Sequence, residues 1–385
     1  LSACAAPPEP ASIAAPGLRA RFEAWRDRLQ ASPRFRAWAA ANPLTRPIAR
    51  KRARALFDLC AGFVYTQVLL SCVRLKLFDL LEQGPLPAGT ISARIGVPED
   101  STIRLLDAAV SLNLLDRRRN NTYGLGALGC AMIGNAGIAA MVEHHAALYA
   151  DLSDPVAVLR GHRPGALSAY WKYAETQAPA ALHAGHTDSY TTLMAASQSF
   201  IAEEILAAHD FRRHQCLLDI GGGDGSFLAQ VARQAPALRL MLLDLPPVAA
   251  RAQARFAASG LASRAQAIGG DAIAGPLPDG ADIISFVRVL HDHDDAAVLA
   301  MLRCARNALP TNGTILIAEP MSGTPGAEPI GDAYFGFYFL AMGQGRSRTP
   351  EALEALLNAA GFENIRRIPT RIPMLARVLL ATPAK

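Results

Sequence analysis

The sequence predicts an α/β protein: a C-terminal doubly wound parallel sheet ending in an antiparallel pair, preceded by a mostly α-helical winged-helix region. Three observations carry this. From Cys216 onward, short apolar runs alternate with amphipathic segments. Between Thr90 and Gly124 a helix-turn-helix pattern runs into a polar hairpin. Three consecutive glycines, Gly221 to Gly223, stand where the first apolar run ends. Helices on both faces of a parallel sheet produce that alternation, and glycine-rich strand-to-helix turns belong to such sheets.

Taken in order, the Ala- and Pro-rich residues 1–17 read as a flexible tail. Residues 18–54 form a basic amphipathic arm. Leu18, Phe22, Trp25 and Leu29 fall at steps of four, three and four on one helical face, opposite Arg19, Arg21, Arg26 and Arg28. Pro33, Pro43 and Pro47 then mark off short pieces containing Phe35 and Trp38. A winged-helix dimerisation domain is expected over 55–165. It opens with one long helix over 55–83 and a helix over 90–95; Ser101 then caps a helix over 102–115, and a hairpin follows at 116–124. Connecting helices follow over 166–210, with Tyr170, Trp171, Tyr173 and Tyr190 interspersed. In the last domain, 211–385, strands are expected at 216–220, 238–243, 265–268, 282–287 and 314–318. Helices at 226–234, 248–259, 295–309 and 350–360 separate them, and strands at 365–370 and 377–382 make the closing pair.

Composition excludes several classes. With 385 residues, 51% hydrophobic and 18% charged, the chain has material for a large core and too few charges for a disordered protein. The six cysteines are scattered without Cys-x-x-Cys spacing, which fits a reducing, cytoplasmic setting without structural zinc. The most apolar stretch, Leu59 to Leu70, is broken by Thr66 and Gln67, so no spanning helix is expected. The net charge of +5 is local: residues 18–54 hold eleven Arg and Lys against Glu23 and Asp27, which leaves the remainder net acidic. That arm suits a packing contact with a partner subunit or the surface of an anionic membrane, whereas nucleic acid is not an expected partner of the whole. The second helix of the winged module offers Arg104 and almost no other base-reading side chain.

The run Asp219-Ile220-Gly221-Gly222-Gly223-Asp224-Gly225 sits where the first strand turns into a helix, the crevice in which open parallel sheets bind ligands. Gly221 and Gly223 let backbone approach a ligand closely. A dinucleotide fingerprint needs a further Gly at position 226, which is Ser. Asp244, ending the second strand, can accept both hydroxyls of an unphosphorylated ribose. Asp271, with Gly270 after the third strand, is placed for an adenine amino group, and an acidic Asp219 suits a cationic ligand better than a pyrophosphate. These features favour S-adenosylmethionine, a sulfonium without phosphates.

After the fourth strand comes Arg288-Val289-Leu290-His291-Asp292-His293-Asp294-Asp295. His291 there can take the proton of an attacking hydroxyl, and Glu319, ending the fifth strand, can hold its imidazole in one tautomer. His291 and His293 with nearby acids have a metal-hydrolase-like spacing, but position 296 is Ala and no further His/Cys cluster completes a ligand set, so no metal is expected. The aromatic run Tyr334 to Met342 is a candidate wall of a long apolar channel, with Phe335, Phe339 and Met342 as substrate contacts.

Asp219 to Gly225, Leu243-Asp244-Leu245-Pro246, Gly270-Asp271, Arg288 to Asp292 and Ala318-Glu319-Pro320 together resemble the motif series of S-adenosylmethionine-dependent O-methyltransferases of the plant and caffeate type. The resemblance covers residues 55–385. It implies a Rossmann-like methyltransferase sheet, a homodimer formed by the winged-helix domain, His291 as general base, Glu319 as its flanking carboxylate, and Asp244, Asp271 and Arg288 as cofactor contacts. The chain departs from the pattern at Ser347, where many members place a second Glu, which leaves open whether carboxylates flank His291 on both sides. Residues Glu143 to Val156 and Ala341 to Thr349 are similar to the carotenoid branch, the hydroxyneurosporene or demethylspheroidene O-methyltransferases of purple phototrophic bacteria. That likeness implies conversion of a 1-hydroxy carotenoid to its 1-methoxy ether. His144 and His145 read as structural histidines. An aromatic hydroxyl or a tetrapyrrole remains an alternative acceptor, and a winged-helix regulator using the nucleoside fold as a sensor is the alternative of another class.

Overall fold

A computed structural model describes residues 17–163, 165–168, 198, 200–273 and 275–385. Tail residues 1–16, most of the expected connecting helices and Tyr170, Trp171, Tyr173 and Tyr190 lie outside the described residues. The chain divides into two compact units at Leu69/Leu70.

In the first unit, the helices Leu18–Ala31 and Pro33–Ala41 have no buried residue. The next helix, Arg46–Arg74, runs through the expected 54/55 boundary and ends sooner than the single helix expected to 83. Lys76 adopts a left-handed conformation (φ 52°), which breaks the chain before a separate helix, Leu77–Glu82. Helix Arg46–Arg74 passes the length and composition test for a membrane span, with mean hydropathy 1.7 over its most apolar window. Thr66 and Gln67 interrupt its apolar run but add no charge.

In the second unit, β1 (Leu86–Pro87) leads into helices Ala88–Ile95 and Glu99–Ser111, after which β2 (Leu115–Arg118) and β3 (Thr122–Leu125) complete a three-stranded wing in the order β1-β3-β2. Ser101 lies inside its helix, and Pro98 occupies the cap position where no proline N–H is missed. Two wing arginines are engaged within the fold. Arg117 pairs with Asp107 and lies over the Tyr123 ring, and Arg118 pairs with Asp116. Helices Ala136–Asp151 and Pro155–Leu159 follow, each capped by its preceding Asn135 or Asp154.

The C-terminal sheet has seven strands: β4 (Cys216–Ile220), β5 (Arg239–Asp244), β6 (Ala265–Gly269), β7 (Ile283–Val287), β8 (Thr314–Glu319), β9 (Phe362–Ile368) and β10 (Arg377–Pro383), ordered β6-β5-β4-β7-β8-β10-β9. The first five are parallel, and β10 runs antiparallel to both β8 and β9. Because strand side chains alternate, Leu218, Met241, Ile284 and Ile315 join one core with helices Asp295–Ala308 and Pro350–Ala359. Leu217, Leu240, Ile283 and Leu316 join the other, against helices Ser226–Gln234 and Pro246–Ala258. Strand order reverses at β4, so the chain leaving β4 and the chain leaving β7 run to opposite faces of the sheet and leave a crevice between the loops that follow these strands.

Candidate functional site

The loop after β4 is shaped by its glycines. Gly221, Gly223 and Gly225 take positive φ of 65°, 61° and 80°. A Cβ on Gly221 would lie 2.7 Å from Val289 Cγ2, and one on Gly222 would lie 2.6 Å from Asp219 Oδ2, whereas one on Gly223 would meet nothing within 4 Å. The loop is therefore closed beneath and toward the β7 turn, and open at Gly223. That open cradle fits a ligand that must meet bare backbone, as S-adenosylmethionine would.

Asp219 is completely buried. Its Oδ1 accepts the Ser285 hydroxyl at 2.6 Å, and its Oδ2 has no partner. Burial, with the nearby charge of Asp244 added, pushes it up to about 7 against the pull of that hydroxyl. It lies beneath the loop, against Gly222, and supports it from below. Asp244 accepts the Gly223 amide on Oδ2 at 2.8 Å and the Leu245 amide on Oδ1 at 2.7 Å. Desolvation nonetheless pushes it up to about 6. Each oxygen keeps a lone pair for a ribose hydroxyl. Gly270 donates its N–H to Asp244 O, and Asp271 Oδ1 accepts the Ile273 amide at 2.8 Å, so both expected contacts lie at the carboxyl end of β6.

Beyond β7 the backbone turns sharply. Arg288 takes φ 59°, a left-handed value that costs a non-glycine residue about 1 kcal/mol, and its N–H donates to Ala318 O at 2.9 Å. A 3₁₀ turn, Leu290–Asp292, then presents His291, 6% exposed. Glu319, 1% exposed, accepts the amides of Val289 and His291 on Oε1, both at 3.1 Å. The expected contact of Glu319 with the imidazole is not made: His291 Nδ1 has no partner, and Nε2 lies 3.3 Å from Asp292 Oδ1. The reason is local. Two buried amides on the tight turn demand an acceptor, and Glu319 at the end of β8 is in register to supply it. Burial holds the His291 imidazole well below its ordinary value, helped by the nearby guanidinium groups of Arg288 and Arg348 and by His293, so it is neutral. Glu319 is pushed by burial up to about 7.

Sequence reasoning missed Arg348. Its buried guanidinium donates to Leu290 O at 2.8 Å and His293 O at 2.7 Å, and Nε donates to Asp295 Oδ1 at 2.8 Å. The Arg346 amide adds a bond to His291 O at 2.8 Å. Carbonyls and amides of the His291 turn are thus held from opposite sides. The one available signal was an arginine inside a run otherwise punctuated by Gly343, Gly345 and Pro350. Ser347 accepts the Ser322 hydroxyl at 2.8 Å and does not stand in for a carboxylate.

A six-residue π-helix, Pro329–Tyr334, leads into helix Phe335–Met342. The His291 ring lies 5.1 Å from Phe339 and is stacked on Phe335 at 6.2 Å, centroid to centroid. Met342 is buried in the same cluster as Tyr338 and Phe339. His144 and His145 each bond a tyrosine, Tyr338 and Tyr334 respectively, both at 2.8 Å. Among the described residues no group of three or more His, Cys, Asp or Glu could hold a metal ion.

With this geometry established, comparison with known proteins gives a consistent picture. An O-methyltransferase domain family matches residues 149–363, and an O-methyltransferase dimerisation domain matches residues 57–134. The demethylspheroidene O-methyltransferase of Cereibacter sphaeroides is 40% identical over 354 residues, covering 92% of this chain and 93% of that protein. Its counterpart in Rhodobacter capsulatus is 38% identical over 340 residues, covering 88% and 84%. In fold, the chain is similar to human N-acetylserotonin methyltransferase solved in complex with SAM, with a TM-score of 0.71 at 24% identity, covering 87% of this chain and 98% of that one.

Proposed function

This chain belongs to the family of S-adenosylmethionine-dependent O-methyltransferases, and from that premise we propose that it converts a 1-hydroxy carotenoid of the demethylspheroidene or hydroxyneurosporene type to its 1-methoxy ether, with His291 as general base. The observation that carries the reading is the neutral, buried His291 with Nδ1 unpartnered, on a turn that touches the glycine loop through Val289 and Gly221. S-adenosylmethionine, when bound, supplies an electrophilic methyl carbon on a sulfonium. Gly221, Gly223, Asp244, Gly270, Asp271 and Arg288 would hold it, with Asp219 supporting the loop.

The residues of the chain do the rest. A tertiary alcohol is too weak an acid to be ionised beforehand by a neutral imidazole, so His291 takes the proton as the new C–O bond forms. Phe335, Phe339 and Met342 exclude water from the reacting hydroxyl and align an apolar acceptor. Glu319 and Arg348 fix the turn from which His291 acts.

The exposed side chains Leu56, Phe57, Leu59, Phe63 and Val64, beside the start of the dimerisation match, supply the apolar face of a homodimer in this reading. The arm at 18–54, with exposed Phe22, Trp25 and Trp38 among its arginines, is proposed as a contact with an anionic membrane surface on the cytoplasmic side, where a polyene substrate would reside. The test incubates the protein with labelled S-adenosylmethionine and a panel of 1-hydroxy carotenoids, phenols and tetrapyrroles, followed by mass spectrometry. Label on the carotenoids supports the assignment; label on the phenols or tetrapyrroles alone overturns it.

A further inference from the structure

We propose that His144 and His145 are positioning residues for the reacting centre: through Tyr338 and Tyr334 they fix the aromatic helix whose Phe335 and Phe339 rings flank His291. The proposal rests on the reading of His291 as the base and adds to it a determinant on a separate helix, far away in sequence.

Consecutive histidines at the middle of helix Ala136–Asp151 bond tyrosines spaced four apart, His144 Nε2 to Tyr338 Oη and His145 Nε2 to Tyr334 Oη, each at 2.8 Å. The two clasps straddle the point where π-helix Pro329–Tyr334 gives way to helix Phe335–Met342. A π-turn carries an extra residue per turn, and an eight-residue helix has little stability of its own, so nothing internal sets the rotation of this segment. An external clasp sets it. From there the contact chain is continuous. Tyr334 meets Phe335 edge-on at 5.0 Å and Tyr338 meets Phe339 edge-on at 5.9 Å, and both phenylalanines pack on the His291 ring.

Bulk alone does not account for these residue types. Two imidazoles and two phenols taken out of water cost free energy unless they are paired, whereas leucine or phenylalanine would fill the same space without that condition. Hydrogen bonds of this kind are directional, so they specify where the tyrosines, and hence the next rings, must stand. Burial lowers both histidines, His144 to about 4, and raises Tyr334 to about 12, so both imidazoles and the Tyr334 phenol are neutral in the clasps at neutral pH.

The test uses the full chain with labelled S-adenosylmethionine and a 1-hydroxy carotenoid, reading kcat, both KM values and thermal melting. Tyr334→Phe and Tyr338→Phe each delete one oxygen; His144→Leu and His145→Leu delete the partner; His144→Gln and His145→Gln return an amide near Nε2. We expect about a 10²-fold fall in kcat for the Phe and Leu variants, little change in KM for S-adenosylmethionine, and substantial recovery in the Gln variants. If a Leu variant fails to fold, the Phe variants decide. Unchanged kcat in both Phe variants, or Gln variants no better than Leu, overturns the proposal. His291→Ala runs alongside. Methyl transfer surviving in His291→Ala defeats the base reading, and the clasp proposal that rests on it. Its loss in His291→Ala with full kcat in the clasp variants defeats the clasp alone.

Discussion

The backbone N–H of His291 donates to Oε1 of Glu319 at 3.1 Å, while Nδ1 of the same His291 meets no partner. The carboxylate thus places the imidazole through the main chain. Glu319→Gln keeps an acceptor oxygen for the two amides, and its stability should stay within about 1 kcal/mol of the parent. Glu319→Leu leaves the amides of Val289 and His291 buried without an acceptor, at an expected cost of about 1–3 kcal/mol and about a 10²-fold loss in kcat. Urea titration alongside kcat separates the two. An equal kcat loss in both variants would mean that the charge of Glu319, not its acceptor geometry, matters.

Arg348 closes the same turn from the opposite side, and its fork cannot be copied by an ammonium. Arg348→Lys supplies a point charge in place of three donors aimed at Leu290 O, His293 O and Asp295 Oδ1. We expect about 2–4 kcal/mol of lost stability in Arg348→Met and roughly half that in Arg348→Lys. In both, kcat should fall more than the affinity for S-adenosylmethionine, which isothermal titration would measure. An affinity loss as large as the kcat loss would place Arg348 at the nucleoside rather than at the turn.

The sheet was legible because its central strands are buried on both faces and so read as short continuous apolar runs between amphipathic helices: Leu217 and Leu218 feed opposite cores, as do Ile283 and Ile284. Helix Ser226–Gln234 falls on the expected residues because Gly225, at φ 80°, marks its start. The break at Lys76 was not legible, since a left-handed lysine has no local sequence signal and is imposed by the packing of Leu77, Phe78 and Leu81. In the site, Asp244 and His291 announced themselves by following strands. The partners that hold them did not. Glu319 serves amides rather than an imidazole, and Arg348 lies 57 positions from His291, whose turn it braces; both depend on which polar backbone groups the fold leaves bare.

Gly221 and Val289 couple the two halves of the site. Gly221→Ala brings a Cβ to 2.7 Å from Val289 Cγ2 and forces alanine to φ 65°. The clash displaces the turn carrying His291, so both cofactor affinity and kcat should fall, each by about 10-fold or more. Val289→Ala in the same chain removes the clash but not the left-handed backbone cost of about 1 kcal/mol. The double variant should therefore recover kcat while remaining less stable than the parent. Measured kcat in the double variant no better than in Gly221→Ala would show that the backbone, not the contact, carries the effect.

His209 provides a pH prediction away from the crevice. Its Nε2 lies 2.9 Å from His214 Nε2, and His214 Nδ1 reaches Asp282 Oδ2 at 3.2 Å. Burial, with the nearby His214 adding to it, lowers His209 to about 4, against an ordinary value near 6.5. Between those values the unfolded chain binds a proton that the folded chain refuses, so this group makes stability fall as pH is lowered through the window. Asp219 and Glu319, raised to about 7, act with the opposite sign, because the folded chain holds their protons where the unfolded chain has lost them. The parent profile alone is therefore a sum that hides each part. Comparison with His209→Gln isolates one: an amide can still bond His214 but does not titrate. Melting temperatures across about pH 4 to 8 should show the parent losing ground to His209→Gln on acidification and regaining it above about pH 6.5. A difference between the two that stays constant across the range would mean that His209 takes up its proton as readily in the folded chain as in the unfolded one.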